Sequence, residues 1–128
     1  MSANSGPGYA KRPDHRVDTS LARVRVRVTF NGEVIADTRD AITLEESGYP
    51  PVFYIPREDV KMQYLNRTDH RTYCPFKGDA SYYSLSSRER TEHNAVWSYE
   101  KPYDEVDVIR ERLAFYPGKV DRIETLPD

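Results

Sequence analysis

From Arg23 to Phe30 the chain reads Arg-Val-Arg-Val-Arg-Val-Thr-Phe, charged and apolar residues alternating almost without a break. A period of two sends successive side chains to opposite faces, so this stretch is a half-buried strand rather than a helix. Asn31-Gly32 then turns it back into Val34-Ile35-Ala36-Asp37-Thr38. A two-residue turn would set Asp37 opposite Val26 on the apolar face. A three-residue loop ending at Gly32 sets Val34 and Ala36 against Val28 and Val26 and brings Asp37 to Arg25. The second register, with its bulged loop, is the one predicted. It leaves Arg23, Arg25 and Arg27 as a solvated sheet face, partly neutralised from the partner strand.

The same reasoning carries along the chain. Ala41 to Glu45 reads as a short strand broken by Gly48-Tyr49-Pro50-Pro51, and Val52 to Ile55 as another closed by Pro56. Val60, Tyr64 and Leu65 recur at helical spacing behind Glu58 and Asp59, which predicts a short helix over 58–65. A strand then enters Thr72-Tyr73-Cys74, turns at Pro75 to Gly78 and returns as Ala80 to Ser86. Ser87 to Asn94 carries no apolar residue and reads as a charged loop. Ala95 to Tyr99 alternates again, Asp104 caps a second short helix holding Val106 and Ile109, and Leu113–Tyr116 with Val120–Glu124 form a last hairpin around Pro117-Gly118. Met1 to about Ser20 has too little apolar content to offset its ordering entropy and is expected to be a flexible arm. The sum is one mainly β, antiparallel domain over 21–128 with two short helices.

Composition narrows the function. A single cysteine excludes intramolecular disulfides and zinc sites built on paired cysteines, and His15, His70 and His93 are scattered, so no metal or cofactor is expected. Net charge is −2 with 31% charged residues, which gives no basic field for nucleic acid. No stretch approaches the roughly 18 apolar residues of a membrane span, and the first twenty residues carry no apolar run with a cleavage site, so a cytoplasmic protein without membrane partners is expected. Oligomeric state is left open.

Two groups of residues can carry chemistry. Cys74 and Lys77 stand at the two ends of one turn, where an ammonium could favour a thiolate acting as nucleophile or redox centre. Cys74 could equally be a small buried hydrophobe beside a solvated lysine. Arg57 and Asp59 flank the start of the first predicted helix, where free N–H groups favour an anion. With Lys77 and the hydroxyls of Tyr54 and Tyr82 they would make a pocket for a phosphate or carboxylate. The plainer alternative is a capping Asp59 and a surface pair at Arg57.

The segments Phe30-Asn31-Gly32, Ile35 to Thr38, Leu44-Glu45, Tyr54-Ile55-Pro56-Arg57, Asp59-Val60, Cys74-Pro75-Phe76-Lys77-Gly78, Tyr82-Tyr83 and Ala95 to Tyr99 with Pro102 resemble the domain-of-unknown-function 427 family. The resemblance spans about residues 22 to 125, and its Cys-Pro-x-Lys-Gly segment is the most specific part. It implies a β-tent-like fold, two antiparallel sheets leaning together over a cleft. Better-known members of that fold group bind zinc through paired cysteines, which this chain lacks. The family is sometimes named nucleotidyltransferase-like, yet the carboxylate pair after a Gly-Ser loop that such chemistry needs is missing here. The family motif maps onto Glu45, Tyr54, Arg57, Asp59, Thr72, Cys74, Lys77, Tyr82, Trp97 and Tyr99 as site residues. The expected function is binding of a small anionic or aromatic ligand, a nucleotide, sugar phosphate or carboxylate, with Arg57 and Lys77 holding its charge. The alternative is an enzyme using Cys74, with Asp59 or Glu45 moving protons.

Overall fold

The structure, a computed structural model, describes residues 4–127. Met1 to Ala3, the first residues of the expected arm, and the final residue Asp128 lie outside the described residues. The predicted mainly β class stands. Strands β1 (Val17–Leu21), β2 (Arg25–Phe30), β3 (Glu33–Thr38), β4 (Ile42–Glu46), β5 (Val52–Tyr54), β6 (Leu65–Cys74), β7 (Gly78–Ser87), β8 (Arg90–Ser98), β9 (Ala114–Phe115) and β10 (Arg122–Leu126) carry the fold. All their pairings are antiparallel. They divide into three sheets, in the orders β1-β4-β5, β10-β2-β3 and β6-β7-β8-β9, rather than the two that the resemblance implies. No helix among the described residues is long and apolar enough to cross a membrane.

The first hairpin has the two-residue turn after all. Asn31 and Gly32 take φ of 52° and 79°, and Phe30 pairs with Glu33 across them. Positive φ at both central residues is what the twist of a tight hairpin requires. The bulge sits inside β3, where Thr29 pairs with Val34 and Val28 with Ala36, so that Ile35 is the extra residue. One extra residue re-phases the strand. Asp37 is thereby opposite Arg27, not Val26, and accepts both hydrogen bonds of a bidentate pair with Arg25 at 2.7 Å.

Three other expectations are corrected. Residues 58–65 form two short 3-10 turns, Arg57–Asp59 and Met62–Tyr64, in place of a helix. Between them Val60 bridges to Ala36 and the Lys61 N–H donates to the Ile35 carbonyl at 2.8 Å, so sheet contacts claim the backbone that a helix would use. The charged loop at 87–94 is largely strand: a tight turn at Arg88-Glu89 leads into β8, whose Arg90 lies over the Phe30 ring at 4.6 Å. The last hairpin does not close, because β9 joins β8 and a 3-10 turn at Pro117–Lys119 carries the chain on to pair β10 with β2.

The N-terminal segment also departs from the flexible arm expected of it. From Asn4 onward it is laid against the domain: β1 pairs with β4 from Val17 opposite Glu46 to Leu21 opposite Ile42, and a single helical turn, α1 (Gly8–Lys11), precedes it. The Gly8 N–H donates to the Pro75 carbonyl at 3.0 Å, and the Gly6 N–H donates to Glu105 Oε1 at 3.0 Å. Backbone pairing supplies what apolar content does not.

β7 divides the interior. Its Tyr83 and Leu85 enter one core with Val26, Val28, Phe30 and Ile35, while Ala80 and Tyr82, on its other face, enter a second core with Ile42, Leu44, Tyr54, Tyr99 and Ile109. The cleft described next opens beside the second core.

Candidate functional site

The turn between β6 and β7 is closed by the Lys77 N–H donating to the Cys74 carbonyl at 3.3 Å. Gly78 follows at φ 111°, with the backbone of Lys101 and Pro102 so near that an added Cβ would stand 3.4 Å from the Lys101 oxygen. The lysine side chain is engaged by a carboxylate. Its Nζ donates to Glu46 Oε1 at 2.5 Å, and the other carboxylate oxygen lies 2.9 Å from His15 Nε2. Since a carboxylate only accepts, Nε2 carries the proton in that bond. All three side chains are 11% exposed. Burial works to raise the Glu46 carboxyl, but the hydrogen bonds and charges of Lys77 and His15 outweigh it and hold the group below its ordinary value. The His15 ring stacks on Phe76 at 4.3 Å, so the N-terminal segment packs directly on the turn.

Above this trio lies a cleft of about 1030 Å³. Its walls include Tyr54 of β5, Thr72 and Cys74 of β6, Tyr82 of β7, Trp97 of β8 and Tyr99 just beyond it. Strand alternation places them: Thr72 and Cys74 share a face, as do Ala80 and Tyr82, and Tyr82 pairs with Trp97 across the sheet. The Trp97 indole N–H donates to the Tyr54 oxygen at 3.2 Å, with the two rings edge to face at 6.3 Å. Thr72 and Tyr82 share a hydrogen bond of 2.9 Å between hydroxyls, and Tyr116 leans on Trp97 at 4.4 Å. Burial pushes the Tyr54 and Tyr99 phenols well above their ordinary value and Tyr116 up to about 12, so all three keep their protons at neutral pH.

Of the residues singled out in the sequence, Tyr54, Thr72, Cys74, Lys77, Tyr82, Trp97 and Tyr99 therefore come together, whereas Glu45, Arg57 and Asp59 do not line the cleft. Glu45 points to solvent, because Leu44 and Glu46 share the inward face of β4. Asp59 accepts from Thr38 Oγ1 at 2.7 Å. Arg57 works on the opposite face of the sheet, donating to the Glu111 carbonyl at 2.6 Å, the Tyr83 hydroxyl at 2.9 Å and Ser98 Oγ at 3.1 Å. Glu100 joins that network, held by Arg67 and Ser81. Those hydrogen bonds outweigh its burial and take its carboxyl down to about 2.

Sequence reasoning missed Glu46 and His15, and it offered Arg12 only for docking of the N-terminal arm, not for the cleft. The alternation of β4 was a usable signal for Glu46, while nothing local marks the other two for the cleft. Arg12 is exposed on the cleft lining and makes no side-chain ion pair or hydrogen bond among the described residues. A family model described as Domain of unknown function (DUF427) matches residues 18–125. The chain belongs to the DUF427 family. No curated protein matches it. The DUF427 stretch supplies the aromatic walls, Glu46 and Lys77, and Arg12 and His15 precede it.

Proposed function

We propose that this DUF427 protein binds a small organic ligand with an aromatic or apolar body in the cleft between β5 and the β6–β9 sheet. The observation that carries this reading is the convergence of Tyr54, Tyr82, Trp97 and Tyr99 on one cavity of about 1030 Å³. Small-molecule sites of about 300–1,000 Å³ are lined in this way, by aromatic and apolar side chains with a few fixed polar groups. Aromatic walls stack on planar ligands and exclude water, while the Lys77–Glu46–His15 trio forms a polar boundary whose charges are already largely balanced. The geometry favours binding over cysteine chemistry, because the Lys77 ammonium is committed to Glu46 rather than to Cys74. The reading includes a reducing, cytoplasmic setting in which the half-buried Cys74 stays a free thiol.

Trp97 is the sole tryptophan, so its emission reports on the cleft alone. A panel of aromatic acids, neutral aromatics, nucleosides, nucleotides and sugar phosphates is titrated against this signal and against thermal unfolding. At least one class is expected to quench Trp97 and to stabilise the fold, by about 2.7 kcal/mol at a hundredfold excess over Kd. Tyr82→Ala is expected to abolish both effects, and Trp97→Phe only the first. A panel that moves neither signal refutes the reading.

A further inference from the structure

Tyr99 is only 6% exposed and lines the cleft, yet its hydroxyl has no hydrogen-bond partner among the described residues. The one sealed, unpartnered side-chain atom found among the described residues is Thr29 Oγ1, so the Tyr99 oxygen is open to the cleft. Tyr54 presents a related case. Its oxygen accepts from Trp97, but its own proton has no acceptor among the described residues. The two rings lie 6.4 Å apart. Burial first, and then nearby groups that include Glu46, keep both phenols protonated, so each remains a donor among the residues that line the cleft. Among the described residues neither phenol hydrogen-bonds to Glu46, whose oxygens accept from Lys77 and His15.

Charge adds a second, independent requirement. The lining carries Arg12, Lys77 and Arg122 against Glu46, an excess of two positive charges in a chain whose net charge is −2. Lys77 is neutralised within the trio and Arg122 has Glu124 at 3.6 Å, which leaves the exposed Arg12 guanidinium as the unpaired cation of the rim. A guanidinium in that position suits a carboxylate.

Resting on the cleft being a binding site, we propose that it selects an aromatic acid bearing a second oxygen acceptor. The carboxylate pairs with Arg12 at the rim and a carbonyl oxygen accepts from Tyr99 in the interior, with Tyr54 as a second donor. Arg12 lies ahead of the DUF427 match, so the acid preference comes from the N-terminal segment.

Three probes of one shape separate these terms: 4-acetylbenzoate, 4-ethylbenzoate, which lacks the carbonyl, and 4-acetylbenzamide, which lacks the charge. By calorimetric titration of the full chain, 4-acetylbenzoate is expected to bind about tenfold more tightly than 4-ethylbenzoate, the scale of one hydrogen bond to a buried partner, and about threefold more tightly than the amide, the scale of an ion pair to an exposed guanidinium. Tyr99→Phe removes the advantage over 4-ethylbenzoate and keeps the advantage over the amide; Arg12→Gln does the reverse. Equal Kd values for the three probes, or a variant that weakens all three alike, overturn the proposal and leave the cleft a binding site of other specificity. Failure of all three while a neutral aromatic or a nucleotide binds overturns it too. If no member of the broad panel binds, the proposed function falls with it.

Discussion

Replacing Glu46 with Gln keeps the shape of the side chain and removes the charge that Lys77 and His15 share. An exposed ion pair is worth about 0–1 kcal/mol, whereas breaking a buried one costs about 3–5 kcal/mol because the survivor is left uncompensated. With all three side chains 11% exposed, the trio lies near the buried limit, and the Gln oxygen still accepts one hydrogen bond. Glu46→Gln should therefore destabilise by about 2–3 kcal/mol at pH 7. With a urea dependence of about 1–3 kcal/mol per molar, the unfolding midpoint falls by about 0.7–3 M. Lys77→Met in the Glu46→Gln background removes the stranded ammonium and should restore most of the loss, which a double-mutant cycle reads directly. The sign with pH follows from the lowered Glu46 carboxyl. Its contribution is complete above the ordinary value of 4.5 and is lost as pH falls through the lower folded value, where the protonated acid resembles Gln. The gap between wild type and variant must close on the acid side. A cost below about 0.5 kcal/mol at pH 7, the scale of a solvated pair, or a gap unchanged in acid, would refute the trio as a buried electrostatic unit.

Arg57→Ala removes three hydrogen bonds on the face opposite the cleft and should cost about 1–3 kcal/mol in chemical unfolding, with the Kd for 4-acetylbenzoate unchanged; a weakened Kd would put Arg57 back at the site. Gly8→Ala forces a Cβ to within 2.8 Å of the Phe76 ring. Faster hydrogen exchange across Tyr9 to Arg16 is expected, with the β6–β9 sheet as protected as before; unchanged exchange in the segment would show that its seat on Phe76 does not hold it.

The aromatic walls were legible because Tyr54, Tyr82, Trp97 and Tyr99 stand in or beside strands whose alternation fixes the face each presents. The same rule explains the slip at the adjacent glutamates. A period of two makes neighbours opposites, and buried Leu44 selects Glu46 over Glu45. Arg57 and Asp59 were attached to a helix start that does not exist, since Val60 is drawn into contact with Ala36 in a pairing 24 residues away in sequence. The hairpin register went wrong for a local reason, as a bulge at Ile35 costs a strand little and has no compositional mark. Least legible was the N-terminal segment. Its order comes from partners such as Glu105, 99 positions from Gly6, which no window of local composition contains.

The pocket's shape and the charge at its entrance come from different parts of the chain. The aromatic walls are cut from the DUF427 stretch, while Arg12 and His15 arrive on a short lead that docks by hydrogen bonds to the Pro75 carbonyl and to Glu105 and by ring contacts on Phe76. The two parts can vary separately. Exchanging the first sixteen residues for another lead of the same length would reset the sign of the entrance without repacking either core. Pocket shape and pocket charge thus rest on separate stretches of the chain.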